Sequence, residues 1–164
     1  MSILNSLWRF LTNRYIVTIF RLFLGVLFVW ASWDKILHPD QFAEAISNYK
    51  LLPNFAINLF AVVLPWIEFV TGLLLISGFQ SKSSSFLILC LLTFFTLVIG
   101  ITLLRGLDIE CGCFGTNQGR KIALTTLIED IFFLLMALQV FFCDKGFFNI
   151  ASLLIKIRTL NPKL

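Results

Sequence analysis

Charge is scarce in this sequence: Asp, Glu, Lys and Arg make up 13% of its 164 residues, about half the share found in soluble domains. That shortage excludes a water-solvated globule. It does not make the chain disordered, because disordered chains are also poor in aromatic residues, and here there are 19 Phe and 4 Trp. Histidine is scarcer still, with His38 alone. A structural zinc site, which normally takes four Cys or His ligands, is therefore not expected. Clustered basic residues are missing too. The net charge is +4 and the pI about 9.0, but the Lys and Arg side chains are spread thinly at the ends of apolar runs, so no nucleic-acid partner is expected. There is no low-complexity tract and no internal repeat.

What the chain has in abundance is long apolar runs, with 59% hydrophobic residues and a mean hydropathy of +0.92. A membrane helix needs about 20 apolar residues to cross a hydrocarbon core roughly 30 Å thick. Four stretches qualify, at about 16–36, 55–77, 86–104 and 122–142, separated by Pro39, Pro53, the segment 78–85 and the segment 105–121. The expected fold is all-α, a single membrane domain built as a four-helix transmembrane bundle in a lipid bilayer. Arg9 and Arg14 ahead of the first run resemble a signal peptide, but the run is long for that role and no Ala-x-Ala site follows, so an uncleaved first span is expected. Basic residues near the spans set orientation. With a cytoplasmic N-terminus, Arg9, Arg14, Lys82, Lys145, Lys156, Arg158 and Lys163 lie inside, against Lys50, Arg105, Arg120, Lys121 and the boundary residue Lys35 outside. The chain is thus expected in the cytoplasmic membrane with both termini cytoplasmic. In the first outward loop, Asp40 is a candidate cap, and Phe42, Ala45, Ile46 and Tyr49 recur at helical spacing. A short amphipathic helix on the outer membrane surface is expected there.

Cys111 and Cys113 flank Gly112 in the second outward loop, on the side where disulfides persist. A disulfide across one residue closes a very small ring, removes little unfolded-state entropy and is easily reduced, which suits exchange better than stabilisation. Three readings stay open: a redox dithiol that exchanges electrons through a mixed disulfide, a two-thiolate site for a soft ion such as Cu(I), or an inert staple. Cys90 and Cys143, inside spans, read as small buried hydrophobes. Ionisable residues within spans usually face the bundle interior and pair with one another. Arg21, Glu68 and Asp130 form such a candidate cluster. Counted from the cytoplasmic ends at about 1.5 Å per residue, Arg21 lies ~8 Å deep and Glu68 ~13 Å deep, so an Arg21–Glu68 pair is expected. A quinone headgroup or a proton path would use the same groups.

The ordered set Arg21-x3-Gly25-x2-Phe28 with Lys35, Tyr49-Lys50-Leu51-Leu52-Pro53, Pro65-x2-Glu68-x3-Gly72 and Gly78 resembles the DoxX-like four-span proteins. Cys111-Gly112-Cys113-Phe114-Gly115 before the fourth span resembles the MauE branch, named for methylamine utilisation. The resemblance implies a cytoplasmic-membrane bundle linked to thiol and disulfide handling. In that reading Cys111 and Cys113 exchange electrons with a periplasmic thioredoxin-like or substrate protein, which supplies the second cysteine pair, and a quinone receives or delivers the electrons near Arg21, Glu68 and Asp130. The alternative class is a membrane binding or transport protein for a soft metal ion or small solute.

Overall fold

The computed structural model describes residues 12–50, 53–105 and 124–144, all but a few of them helical. Among the described residues five helices follow one another: α1 Arg14–Leu37, α2 Pro39–Asn48, α3 Asn54–Ser77, α4 Ser81–Leu104 and α5 Leu124–Cys143. All but α2 are long and apolar enough to cross a membrane. At 24 residues each, α1, α3 and α4 rise ~36 Å, more than the hydrocarbon core requires. The chain is a multi-pass membrane protein.

Local chemistry sets the helix ends. The Asn13 side chain accepts from the Tyr15 N–H at 3.1 Å and caps α1. Pro39 disfavours helical backbone at His38, ends α1 there and opens α2 with its ring at the first position. Gly78 closes α3 at φ 69°, a left-handed conformation that glycine adopts without a Cβ clash. The third-span helix, α4, starts at Ser81, earlier than the apolar run. Ser81, Ser84 and Ser85 are buried, and Ser85 Oγ donates to the Ser81 carbonyl at 2.6 Å. Small hydroxyl side chains that bond their own helix carry no apolar signature yet pack inside the bundle.

The long helices run up, down, up and down, in a ring ordered α1, α3, α4, α5 and closed by α5 on α1. One end of the bundle holds the tight α3–α4 turn, and the other holds α2. At the turn end Leu24, Phe28, Leu75, Ile88, Leu92, Met136, Ala137 and Val140 form the apolar core. Among the described residues a smaller buried apolar cluster, Tyr49 and Ile99, lies toward α2. The outer surface is the reverse of a soluble protein's, with Phe23, Trp33, Phe60, Val70 and Phe132 exposed where lipid would lie. α1 and α3 touch backbone to backbone. A Cβ on Gly72 would stand 2.9 Å from the Gly25 carbonyl oxygen, and one on Gly25 would stand 2.6 Å from Ile76 Cγ1.

Candidate intramembrane polar site

The Gly25–Gly72 contact fixes the level of everything else on α1 and α3. Lys35 lies ten residues beyond Gly25 and Glu68 four residues before Gly72, so both are on the α2 side of the crossing, at ~15 Å and ~6 Å. Helical side chains lean toward their own N-terminus. On these antiparallel helices Lys35 therefore leans down and Glu68 leans up, and the two stems close the remaining gap. Lys35 Nζ donates to Glu68 Oε2 at 2.9 Å and to Oε1 at 3.1 Å, with both side chains buried.

The same geometry corrects the expected Arg21–Glu68 pair. Arg21 lies ~6 Å on the opposite side of the crossing and leans away from Glu68. Its guanidinium Nη1 donates instead to Asp144 Oδ2 at 3.3 Å, where Asp144 follows the last turn of α5 at the turn end. The structure thus brings Glu68 and Asp130 together and sets Arg21 apart from them. Lys35, which the sequence places at a span boundary, takes the central position.

Around Lys35 the remaining helices each add a group. Phe42 of α2 and Phe95 of α4 put their rings 5.0 Å and 5.3 Å from Nζ, a distance at which a ring face attracts a cation. Asp130 of α5 is buried, and its Oδ2 lies 2.6 Å from Thr96 Oγ1 of α4. Tyr49, just past α2, is buried beside it. Burial, and secondarily charge on Asp130, pushes the Tyr49 phenol above its usual range. A cavity of about 20 Å³ sits between these groups, lined by Lys35, Glu68, Asp130, Phe28, Leu92 and Phe95. The amphipathic helix expected on the membrane surface exists, but it packs its Phe42 face onto the bundle and covers this cluster.

A volume near 20 Å³ admits one water molecule. A quinone ring with its two oxygens is larger than this cavity. Among the described residues no group of three or more His, Cys, Asp or Glu side chains could hold a metal ion. Cys111 and Cys113 lie outside the described residues. Cys90 and Cys143 are free thiols, and Cys90 is exposed on the outer face of α4 rather than buried as expected. Sequence reading missed Thr96 and Tyr49 as site residues. Thr96 carries no signal among apolar neighbours, whereas Tyr49 shares the apolar face of α2 with Phe42 and could have been drawn inward with it.

Comparison with known proteins adds the following. Residues 13–143 match the family described as methylamine utilisation protein MauE. The chain is 27% identical to the methylamine utilization protein MauE of Paracoccus denitrificans over 132 residues, covering 80% of this chain and 71% of that protein. It is 30% identical to the protein of that name from Methylorubrum extorquens over 69% of this chain and 61% of that one. With the protein from Methylophilus methylotrophus the identity is 31% over 56% and 49%. The matches thus span from about half to seven-tenths of these relatives' length. No solved structure matches the chain.

Proposed function

This chain belongs to the MauE family, and from that premise we propose that it serves methylamine utilisation as a membrane thiol-disulfide oxidoreductase, or an accessory to one, with Cys111 and Cys113 as its exchanging pair. The reading includes a wider kinship with the DoxX-like four-span proteins, a place in the cytoplasmic membrane with both termini inside, and a periplasmic partner carrying its own cysteine pair. A partner thiolate attacks one sulfur of a Cys111–Cys113 disulfide, the ring S–S bond breaks, and a mixed disulfide forms. The partner's second thiolate resolves it, so two electrons pass to this chain and the partner leaves as a disulfide. Exchange in the opposite direction with a second, disulfide-bearing protein reoxidises the pair, and the two electrons leave as that protein's thiols. Protons balance over the exchange, so thiols on one side replace thiols on the other.

The observation that carries the reading is one of topology. α4 ends at Leu104 and α5 begins at Leu124, both at the α2 end, and the basic-residue asymmetry supports that as the outward end. The connection that contains both cysteines therefore starts and finishes where an oxidising compartment would meet it. Trapping tests this. Cys113→Ser or Cys111→Ser, whichever removes the resolving thiol, should accumulate a mixed disulfide with a periplasmic protein on non-reducing gels. Full function in both single variants with no trapped partner overturns the reading. Stoichiometric Cu(I) on the purified protein, lost when both cysteines are replaced, would move the assignment to soft-metal binding.

A further inference from the structure

We propose that Lys35, Glu68 and Asp130 form an intramembrane binding site for one exchangeable proton, closed over by α2 and solvated by a single water. The inference goes beyond the cysteine reading and does not depend on it. Each helix gives the site one polar group: Lys35 from α1, Tyr49 from the end of α2, Glu68 from α3, Thr96 from α4 and Asp130 from α5. Two other acids lie nearby. Asp34 is turned to the half-exposed His38 at 3.5 Å, and Glu129 stands about 100° round α5 from Asp130 and is half-buried.

Charge balance comes first. The cluster has one ammonium and two carboxyl groups, and both oxygens of Glu68 already engage the ammonium. The rings of Phe42 and Phe95 hold Nζ where it is. Ionised Asp130 would leave an uncompensated negative charge in a region of low dielectric, and a carboxyl in that position takes up a proton instead. Neutrality is reached with one proton on the two carboxyl groups.

Hydrogen bonding at Thr96 allows Asp130 to hold or release that proton. Thr96 Oγ1 lies 2.7 Å from the Leu92 carbonyl oxygen and 2.6 Å from Asp130 Oδ2. A hydroxyl has one proton to give. Thr96 donates it either to Asp130 Oδ2 or to the Leu92 carbonyl, and in the second case a protonated Asp130 donates to Thr96 Oγ1, so the contact accommodates the carboxyl with and without its proton. Finally, the cavity of about 20 Å³ bounded by Lys35, Glu68 and Asp130 has room for one water and enough polar partners to hold it. That water would let the proton move between Asp130 and Glu68.

Infrared spectroscopy of the full chain in lipid nanodiscs tests this through the carbonyl band of protonated carboxyl groups, identified by its shift in D2O. The number of protons held should equal the carboxyl groups minus the ammonium. The unaltered protein should show one buried band. Asp130→Asn should abolish it. Glu68→Gln should abolish it as well, because Lys35 then pairs with ionised Asp130. Lys35→Met should hold two protons and roughly double the band. Thr96→Val, which leaves every charge in place, should shift the band's frequency and keep its intensity. In Cys111→Ser with Cys113→Ser the band should persist, which separates failure of this site from failure of the thiol reading. The proposal is overturned by an absent band in the unaltered protein, a measurement that needs no variant to fold. A band that survives both Asp130→Asn and Glu68→Gln, or that fails to grow in folded Lys35→Met, overturns it equally.

Discussion

Lys35–Glu68 and Arg21–Asp144 are ion pairs of equal burial, with side-chain exposures of 1% and 3% in each, so burial does not distinguish them. Their surroundings do. The Lys35 pair is bidentate at 2.9 and 3.1 Å, faces a second carboxyl and borders a cavity. Arg21 Nη1 meets Asp144 Oδ2 at 3.3 Å and ties the end of α5 to α1 beside the apolar core. An excess of acid over base leaves a group able to exchange a proton, whereas Arg21 and Asp144 bring opposite charges together as a fastener. The same kind of contact therefore serves binding at one end of the bundle and assembly at the other.

The largest effect separating the two ends should come from removing both acids around Lys35. Glu68→Gln combined with Asp130→Asn leaves a buried ammonium with no counter-charge and should cost about 3–5 kcal/mol. Either single change should cost about 1–2 kcal/mol, because the remaining carboxyl takes over. Thermal unfolding in detergent gives the excess as a coupling energy, and strict additivity would contradict the shared-site picture. Next in size is Gly72→Ala, whose Cβ meets the Gly25 carbonyl oxygen and Val29 Cγ2, both at 2.9 Å, the first of which is backbone and cannot swing aside. It should cost about 2 kcal/mol by forcing α1 and α3 apart. The loss should be visible as a lower unfolding midpoint, while Gly100→Ala, with nothing within 4 Å of the new Cβ, should leave the midpoint unchanged.

At the turn end the expected effect is smaller. Replacing Arg21 by Met and Asp144 by Leu together should change stability by no more than about 1 kcal/mol, since an apolar pair of similar volume substitutes for a buried ion pair. A loss as large as that of the double acid variant would show that this pair does more than fasten. The smallest effect belongs to Tyr49. Its phenol is held protonated in the folded state by burial first and Asp130 second. The unfolded phenol ionises earlier, at about pH 10, so stability should be intact below that and decline as pH rises through it. Tyr49→Phe should remove that part of the alkaline decline, read as the difference in unfolding midpoints between the two proteins.

Most of the fold was legible in the sequence because long apolar runs separated by Pro and Gly leave few arrangements in a membrane. The serine-rich start of α4 was not, since Ser81, Ser84 and Ser85 look like a connector by hydropathy and pack like core. Glu68 and Asp130 were legible as intramembrane charges. Their partners were not, because depth counted from span ends ignores where two helices actually touch. The Gly25–Gly72 crossing sets the register, and the lean of Cα–Cβ bonds then directs Lys35 toward Glu68 and Arg21 away from it. Lys35 sits near the end of its span, where a long basic side chain ordinarily reaches out to the interface. It turns inward here because α2 covers the route out with Phe42.

The dispersal of these partners along the chain sets a schedule for biosynthesis. Lys35 is 33 residues ahead of Glu68, and Arg21 is 123 residues ahead of Asp144. At about 5–20 residues per second, Lys35 waits roughly 2–7 s for its carboxylate and Arg21 roughly 6–25 s. Until then the first helix holds two cations that hydrocarbon does not tolerate. Its buried counter-charges therefore arrive late, and the Asp144 carboxylate arrives only once α5 has been made.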